Sequence, residues 1–181
     1  MFAVHAPDGT RTGTGPVTLA VLRVAIGSVF LWAFADKAFG LGYATRPGNA
    51  WFSGGSPTKG FLSGVDVGPF QSVFRAIAGT WWADALFMTG LFAIGVALVL
   101  GAGLRIAATG GAVMMALMWA AEWPPALHTS GGEATMSTNP LIDYHVVYAL
   151  VLVALAATPP VWSVARWWNG LPVVKANPWL R

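Results

Sequence analysis

The chain of 181 residues contains no cysteine. Disulfides, thiolate metal sites, iron–sulfur ligation and any cysteine nucleophile or persulfide carrier in this polypeptide are thereby excluded. Charge is also scarce: 9% of residues are Asp, Glu, Lys or Arg, against about 25% in soluble domains. The ten Lys and Arg residues give a net charge of +3 but form no basic run, so nothing tracks a phosphate backbone and nucleic acid is not an expected partner. What is present instead is 56% hydrophobic residues, 22 Gly and 10 Trp, the balance of a helical membrane protein with aromatic belts and close helix contacts.

A hydrocarbon core about 30 Å thick needs about 20 apolar residues in a helix. Four windows approach that length: Val17 to Phe39, Ala83 to Leu100, Leu104 to Ala121, and Leu141 to Thr158. Only Gly101, Ala102 and Gly103 separate the second from the third, which predicts a tight helical hairpin. The expected fold class is therefore an all-α integral membrane protein, a four-transmembrane-helix bundle with a long structured first outer loop. Residues 1–16 form an N-terminal tail, 17–158 the membrane domain with its outer loop over 40–82, and 159–181 an interfacial tail carrying Trp162, Arg166, Trp167 and Trp168. Ala33-Phe34-Ala35 imitates a signal-peptide cleavage site, but the preceding apolar run is too long and carries Arg23, so a retained first helix is expected.

Orientation follows from the cations. Arg11, Arg23, Arg105, Arg166, Lys175 and Arg181 fall on one side; Lys37, Arg46, Lys59 and Arg75 fall on the other. Six against four places both termini in the cytoplasm of a cell with an inner membrane. In the outer loop, Phe70, Val73, Phe74, Ile77 and Trp81 repeat at helical spacing after Pro69, as an interfacial helix or a cover over the bundle would.

The ionisable residues then collect at the outer ends of the spans: Asp36 and Lys37, Asp84, Glu122, and the run Asp143-Tyr144-His145. Charges at such depth pair or line a cavity, so Asp36, Lys37, Asp143 and His145 are expected to form one polar cluster. Asn139-Pro140 reads as the start of the fourth helix. On that helix Asp143 and His145 lie about 200° apart, so only one faces a given cavity. The plainer readings stand beside these: an interfacial pair for Asp36 and Lys37, a carbonyl-bonded core histidine for His145, snorkelling for Arg23, and packing for Met114, Met115, Met118, Gly90, Gly95, Gly110 and Gly111. His5, His128 and His145 have no ligand spacing, so no metal is expected.

Three segments resemble the DoxX/DoxD family of four-helix bacterial membrane proteins: Leu31-Trp32-Ala33-Phe34-Ala35-Asp36-Lys37, the loop Gly54-Gly55-Ser56-Pro57-Thr58-Lys59-Gly60-Phe61-Leu62, and Asn139-Pro140-Leu141-Ile142-Asp143-Tyr144-His145. The resemblance runs from Val17 to Thr158. It implies a subunit of a thiosulfate:quinone oxidoreductase, with quinone as bound electron acceptor and without metal, haem or iron–sulfur cluster in this chain. Asp36, Asp143 and His145 are the candidates for proton exchange; Lys37, Lys59, Arg75 and Tyr144 are the candidates for substrate binding, the cations through attraction of a small oxyanion. Gly54-Gly55-Ser56 has the composition of an anion nest and, more simply, of a turn beside Pro57. No soluble partner-like domain follows the fourth span. The alternative is therefore a non-catalytic membrane anchor or assembly subunit, bound to a partner oxidoreductase or to a second copy of itself. A transporter ranks last, since no span has a broken-helix signal.

Overall fold

A computed structural model describes residues 14–181; the N-terminal positions read above as cytoplasmic, His5 and Arg11 among them, lie outside the described residues. Three helices are long and apolar enough to cross a membrane: α1 (Thr14–Phe39), α4 (Trp81–Leu100) and α5 (Leu104–Glu122). The fourth apolar helix, α6 (Tyr144–Ala157), has only 14 residues. At 1.5 Å per residue it is about 21 Å long, short of the bilayer core. Short α-helices lie between them, α2 (Lys59–Ser63) and α3 (Gln71–Ile77) between α1 and α4, then α7 (Ala165–Gly170) and α8 (Pro172–Ala176) after α6, together with 3-10 turns at Pro47–Asn49, Trp51–Ser53 and Pro178–Leu180. Among the described residues no β-strand forms.

α1 and α4 pack as an antiparallel pair. Phe34 meets Phe92 at 5.0 Å between ring centroids, and farther down the pair Gly27 meets Gly95. A Cβ on Gly27 would sit 3.0 Å from the Gly95 carbonyl oxygen, and one on Gly95 would sit 2.7 Å from Leu31 Cγ. Small residues here let two backbones approach, the usual device where lipid provides no hydrophobic drive between helices. α5 and α6 form the second antiparallel pair, with Gly111 against Leu152. The two pairs join through the α4–α5 hairpin, where Gly101 and Gly103 both take left-handed conformations (φ 68° and 64°) that residues with a side chain adopt at a cost. The core consists of Ile26, Phe30, Met88, Leu91, Ile94, Leu98, Leu104, Met115, Leu152 and Leu155 with their neighbours.

Arg23 does not snorkel. It is 1% exposed, and its two terminal nitrogens donate to carbonyls at the C-terminal end of α4 and in the turn after α6. Nη1 bonds Leu98 O and, at 3.1 Å, Val99 O; Nη2 bonds Val161 O at 3.2 Å and Trp162 O at 2.9 Å. The last carbonyls of α4 lack intrahelical partners and carry the negative end of the helix dipole. A planar fork of donors answers both needs, and in doing so it fastens α1 to α4 and to the turn after α6. The tail folds back beside it: Arg181 O accepts from the Arg105 amide at 2.9 Å, and Leu180 O from Trp168 Nε1 at 2.8 Å. The interfacial segment read from its tryptophans is thus also a cover for the free amides that begin α5.

The outer segment differs from its sequence reading in one respect. The periodic stretch splits: α3 ends at Ile77, and Trp81 opens α4. Phe74 is buried with Val65 and Ala121, so α3 rests on the outer end of α5 as a cover.

Arg23→Lys removes the fork while keeping the charge. A point charge on a flexible stem cannot serve both sets of carbonyls, and hydrogen bonds to charged groups are worth about 1.5–3 kcal/mol each. The variant is expected to unfold at lower temperature in detergent by about 2 kcal/mol or more. Wild-type stability in Arg23→Lys would mean that snorkelling was the better description.

Candidate functional site

Each carboxylate at the end of the bundle where α1 finishes and α4 begins is placed by a local feature of the chain. Asp36, one turn before the end of α1, is 2% exposed. Its two oxygens accept from the backbone amides of Tyr43 (3.2 Å) and Ala44 (3.0 Å), in the turn that follows the helix. Asp84, in the first turn of α4, accepts from Ser56 Oγ at 3.0 Å, Thr58 N at 2.9 Å and Thr58 Oγ1 at 2.6 Å. The loop of Gly54 to Thr58 is a plug over Asp84. It lies so close to Asn49 that a Cβ on Gly55 would fall 2.0 Å from the Asn49 carbonyl oxygen. Gly54 closes a turn at φ 90°, which is the plainer of the two readings of that glycine pair.

Asn139 does not start the fourth helix. Its Oδ1 accepts from the amides of Leu141 (2.9 Å) and Ile142 (3.0 Å), making a turn. Asp143 is the cap instead, with an extended backbone (φ −107°, ψ −172°) and its side chain accepting from Val146 N. This overturns the geometric objection raised from a continuous helix. Because Asp143 stands outside the helix, its Oδ2 lies 2.7 Å from His145 Nδ1 while Oδ1 caps the amide. Glu122, at the end of α5, brings Oε2 to 3.9 Å from the same Nδ1, and its other oxygen accepts from Tyr144 Oη at 2.8 Å. The Tyr144 and His145 rings lie 4.0 Å apart.

The expected fourfold cluster therefore does not form as read. Asp143 and His145 are joined, but among the described residues no hydrogen bond or ion pair connects them to Asp36 or Lys37, because the Asp36 carboxylate is taken by backbone amides of its own loop. Lys37 is half-buried and Lys59 exposed. Arg75 is engaged with Asp66 at 3.2 Å. Tyr144, exposed, spends its hydroxyl on Glu122. Glu122, Asp143 and His145 offer one ligand atom each within 4.8 Å of one another, but the short Asp143–His145 bond already satisfies that pair, and we assign no cation to it.

The inner side of His145 has a different character. Between α5 and α6 opens a cavity of about 330 Å³, lined by Met115, Ala116, Trp119, Leu141, His145, Val146, Ala149 and Leu150. Three buried side-chain nitrogens lack a hydrogen-bond partner among the described residues: Arg23 Nε, Trp119 Nε1 and His145 Nε2. The last two belong to residues of this one wall. Such groups cost several kcal/mol in an apolar medium, which sets these two residues apart from the apolar remainder of the wall. Trp119 was not legible as a site residue, since it sits among Met114, Met115 and Met118 in a run that reads as packing. Met115 does pack in the core and also lines the cavity.

No protein-family model, curated protein or solved structure matches the chain.

Asp66 ties two outer segments together: its oxygens accept from Ser130 Oγ (2.6 Å) and Ser130 N (2.7 Å), beside Arg75. The Ser130 hydroxyl first, then its amide, then Arg75 hold the Asp66 carboxyl below its ordinary value. A depressed carboxylate contributes stability above its unfolded pKa and loses it as pH falls through the folded one. The clasp is thus intact at neutral pH and opens only as the pH drops below about 4. Asp66→Asn is expected to lose protection of the Ser130 amide from hydrogen exchange at neutral pH and to show no further acid step. Unchanged protection in the variant would contradict the clasp.

Proposed function

We propose that this chain is the membrane subunit of a quinone-linked oxidoreductase of the DoxX/DoxD type, and that the α5–α6 cavity receives the quinone ring. The observation that carries the reading is the cavity itself: apolar walls, a volume of about 330 Å³, and unpartnered nitrogens on Trp119 and His145. Binding sites for ring ligands are largely apolar, with a few polar groups that fix orientation. A bound quinone supplies a two-electron, two-proton acceptor. The chain supplies position and a titratable ring: Trp119 and His145 are the polar residues of the wall, and Asp143 with Glu122 holds the His145 imidazole from the side away from it, Glu122 being exposed.

In this reading the chain crosses the cytoplasmic membrane four times with both termini inside. The short α6 fits because Leu141 and Ile142 extend its apolar path outward, and irregular backbone at membrane depth is tolerated where it lines a cavity; Leu141 is on the cavity wall. The three segments that resemble DoxX/DoxD each serve this end of the molecule: one carries Asp36, one plugs Asp84, one caps α6 and carries His145. Thiosulfate, or a related small reductant, as the electron donor rests on the resemblance alone, and Arg75 is already paired with Asp66. One observation favours the anchor reading: both oxygens of Asp36 and Oδ1 of Asp84 are spent on fixing loops, as in a subunit that displays a rigid outer face.

Purification in mild detergent followed by mass spectrometry is expected to find a quinone on the wild-type chain. Ala116→Trp, at an exposed alanine on the cavity wall, should remove the quinone at unchanged membrane yield. Equal quinone on both proteins would refute the cavity as its seat, and none on the wild type would favour the anchor.

Topology has its own check. Reporter fusions after Ser130 and after Arg181 are expected to report opposite sides of the membrane; the same side for both would contradict four spans.

A further inference from the structure

We infer that the end of the bundle where α4 finishes and α5 begins binds acidic phospholipid, its four exposed cations taking the headgroup phosphates of that leaflet. The inference rests on the placement of α1, α4 and α5 across a bilayer and is independent of the α5–α6 cavity and its ligand.

Charge is divided between the two ends of the molecule. The carboxylates of the described residues are Asp36, Asp66, Asp84, Glu122, Glu133 and Asp143. They lie in the last turn of α1, in the first turn of α4, at the end of α5, or in the α1–α4 and α5–α6 connections that close the same end. The ion pairs of the described residues lie there too. At the other end Arg105, Arg166, Lys175 and Arg181 are all exposed, with no carboxylate among the described residues beside them. The buried Arg23 is already spent on carbonyls.

The fold gathers these like charges in place of spreading them. The Arg105 amide donates to Arg181 O at 2.9 Å and Arg105 Nη1 to Pro178 O at 3.2 Å. Trp168 Nε1 donates to Leu180 O at 2.8 Å, which brings α7 and its Arg166 to the same place. The Val164 amide, donating to Leu100 O at 2.9 Å, fixes the start of the tail on the end of α4. Like charges held together repel, and a surface of opposite sign relieves that cost.

Each of the four cations also has an exposed apolar neighbour in the chain. Ile106 follows Arg105, Trp167 follows Arg166, Val173 precedes Lys175 by two residues, and Trp179 precedes Arg181 by two. Cations alone would suit a solvated face or an acidic protein, and tryptophans alone would suit any lipid. The two together suit an amphiphile: indole rings sit at the headgroup level while long cationic side chains reach past the acyl boundary to phosphate. A zwitterionic headgroup brings its own cation to compete with Arg and Lys, whereas an acidic headgroup leaves the phosphate to the protein. The occupant is therefore a phospholipid of net negative charge.

The test titrates the purified full chain in mild detergent with phosphatidylglycerol or with phosphatidylcholine of the same acyl chains, and counts bound lipid by native mass spectrometry. A Lys or Arg beside an anionic surface contributes about fivefold in affinity. The wild type is expected to hold phosphatidylglycerol about tenfold or more tightly than phosphatidylcholine, with the preference shrinking as salt rises. Arg166→Gln, Lys175→Gln and Arg181→Gln combined remove three exposed charges and leave Arg105 on Pro178; the preference should fall to about twofold or less. Equal binding of the two lipids by the wild type overturns the inference and turns these cations toward an acidic protein. An undiminished preference in a triple variant that unfolds at the wild-type temperature in lipid-free detergent also overturns it, because the lipid then sits elsewhere. Should the triple variant fail to fold, Lys175→Gln alone carries the same test: a reduction of about fivefold is expected, and an unchanged preference contradicts the inference.

Discussion

In a hydrocarbon environment a polar atom without a partner has no water to turn to, and that constraint organises this protein from one end to the other. At the inner end it makes Arg23 a fork for the last carbonyls of α4 and the turn after α6. At the outer end it makes Asp36 a receptor for two loop amides and Asp84 a receptor for Ser56 and Thr58. Charge in these places is compensated by backbone dipoles more than by opposite charge, which suits a chain with so few ionisable residues. Beside Arg23 Nε, the buried nitrogens left without a partner among the described residues are those of Trp119 and His145, two residues that line one apolar cavity.

The same constraint separates two layers of the outer end. The first belongs to loops: Asp36 and Asp84 hold connecting segments against α1 and α4, and Asp66 ties two connecting segments to each other. The second belongs to the α5–α6 pair, where Asp143, Glu122 and Tyr144 surround one edge of His145 and the cavity lies along the helices on its inner side. Only the second layer combines a titratable ring, a carboxylate 2.7 Å from it, and an adjoining cavity. This is why the redox reading is placed there and not at the more numerous charges of the first outer loop.

Much of the scaffold was legible in the sequence because it follows from hydropathy and glycine. The three long spans appear within a few residues of their windows, and Gly101-Ala102-Gly103 marked the hairpin. The fourth helix was misjudged at its start, since Asn139-Pro140 and Asp143 are both competent caps, and the Asn139 side chain closes a turn over Leu141 and Ile142 while Asp143 caps the helix. That one difference of register turned Asp143 and His145 from opposite faces of a helix into a bonded pair. Arg23 was read as snorkelling because a sequence does not reveal that carbonyls from residues 98–99 and 161–162 converge on it. Trp119 was hidden for a related reason: its indole N–H matters only because α6 offers it no acceptor.

The central claim, that the α5–α6 cavity is the seat of a quinone-type ring, is tested most directly by photolabelling membranes with a short-tailed azidoquinone and mapping the modified residues. The expected result is labelling confined to the cavity walls, residues 115–119 of α5 and 141–150 on and before α6, suppressed by excess unmodified quinone. Labelling spread over the lipid-facing surfaces of α1 and α4 and insensitive to competitor would contradict it.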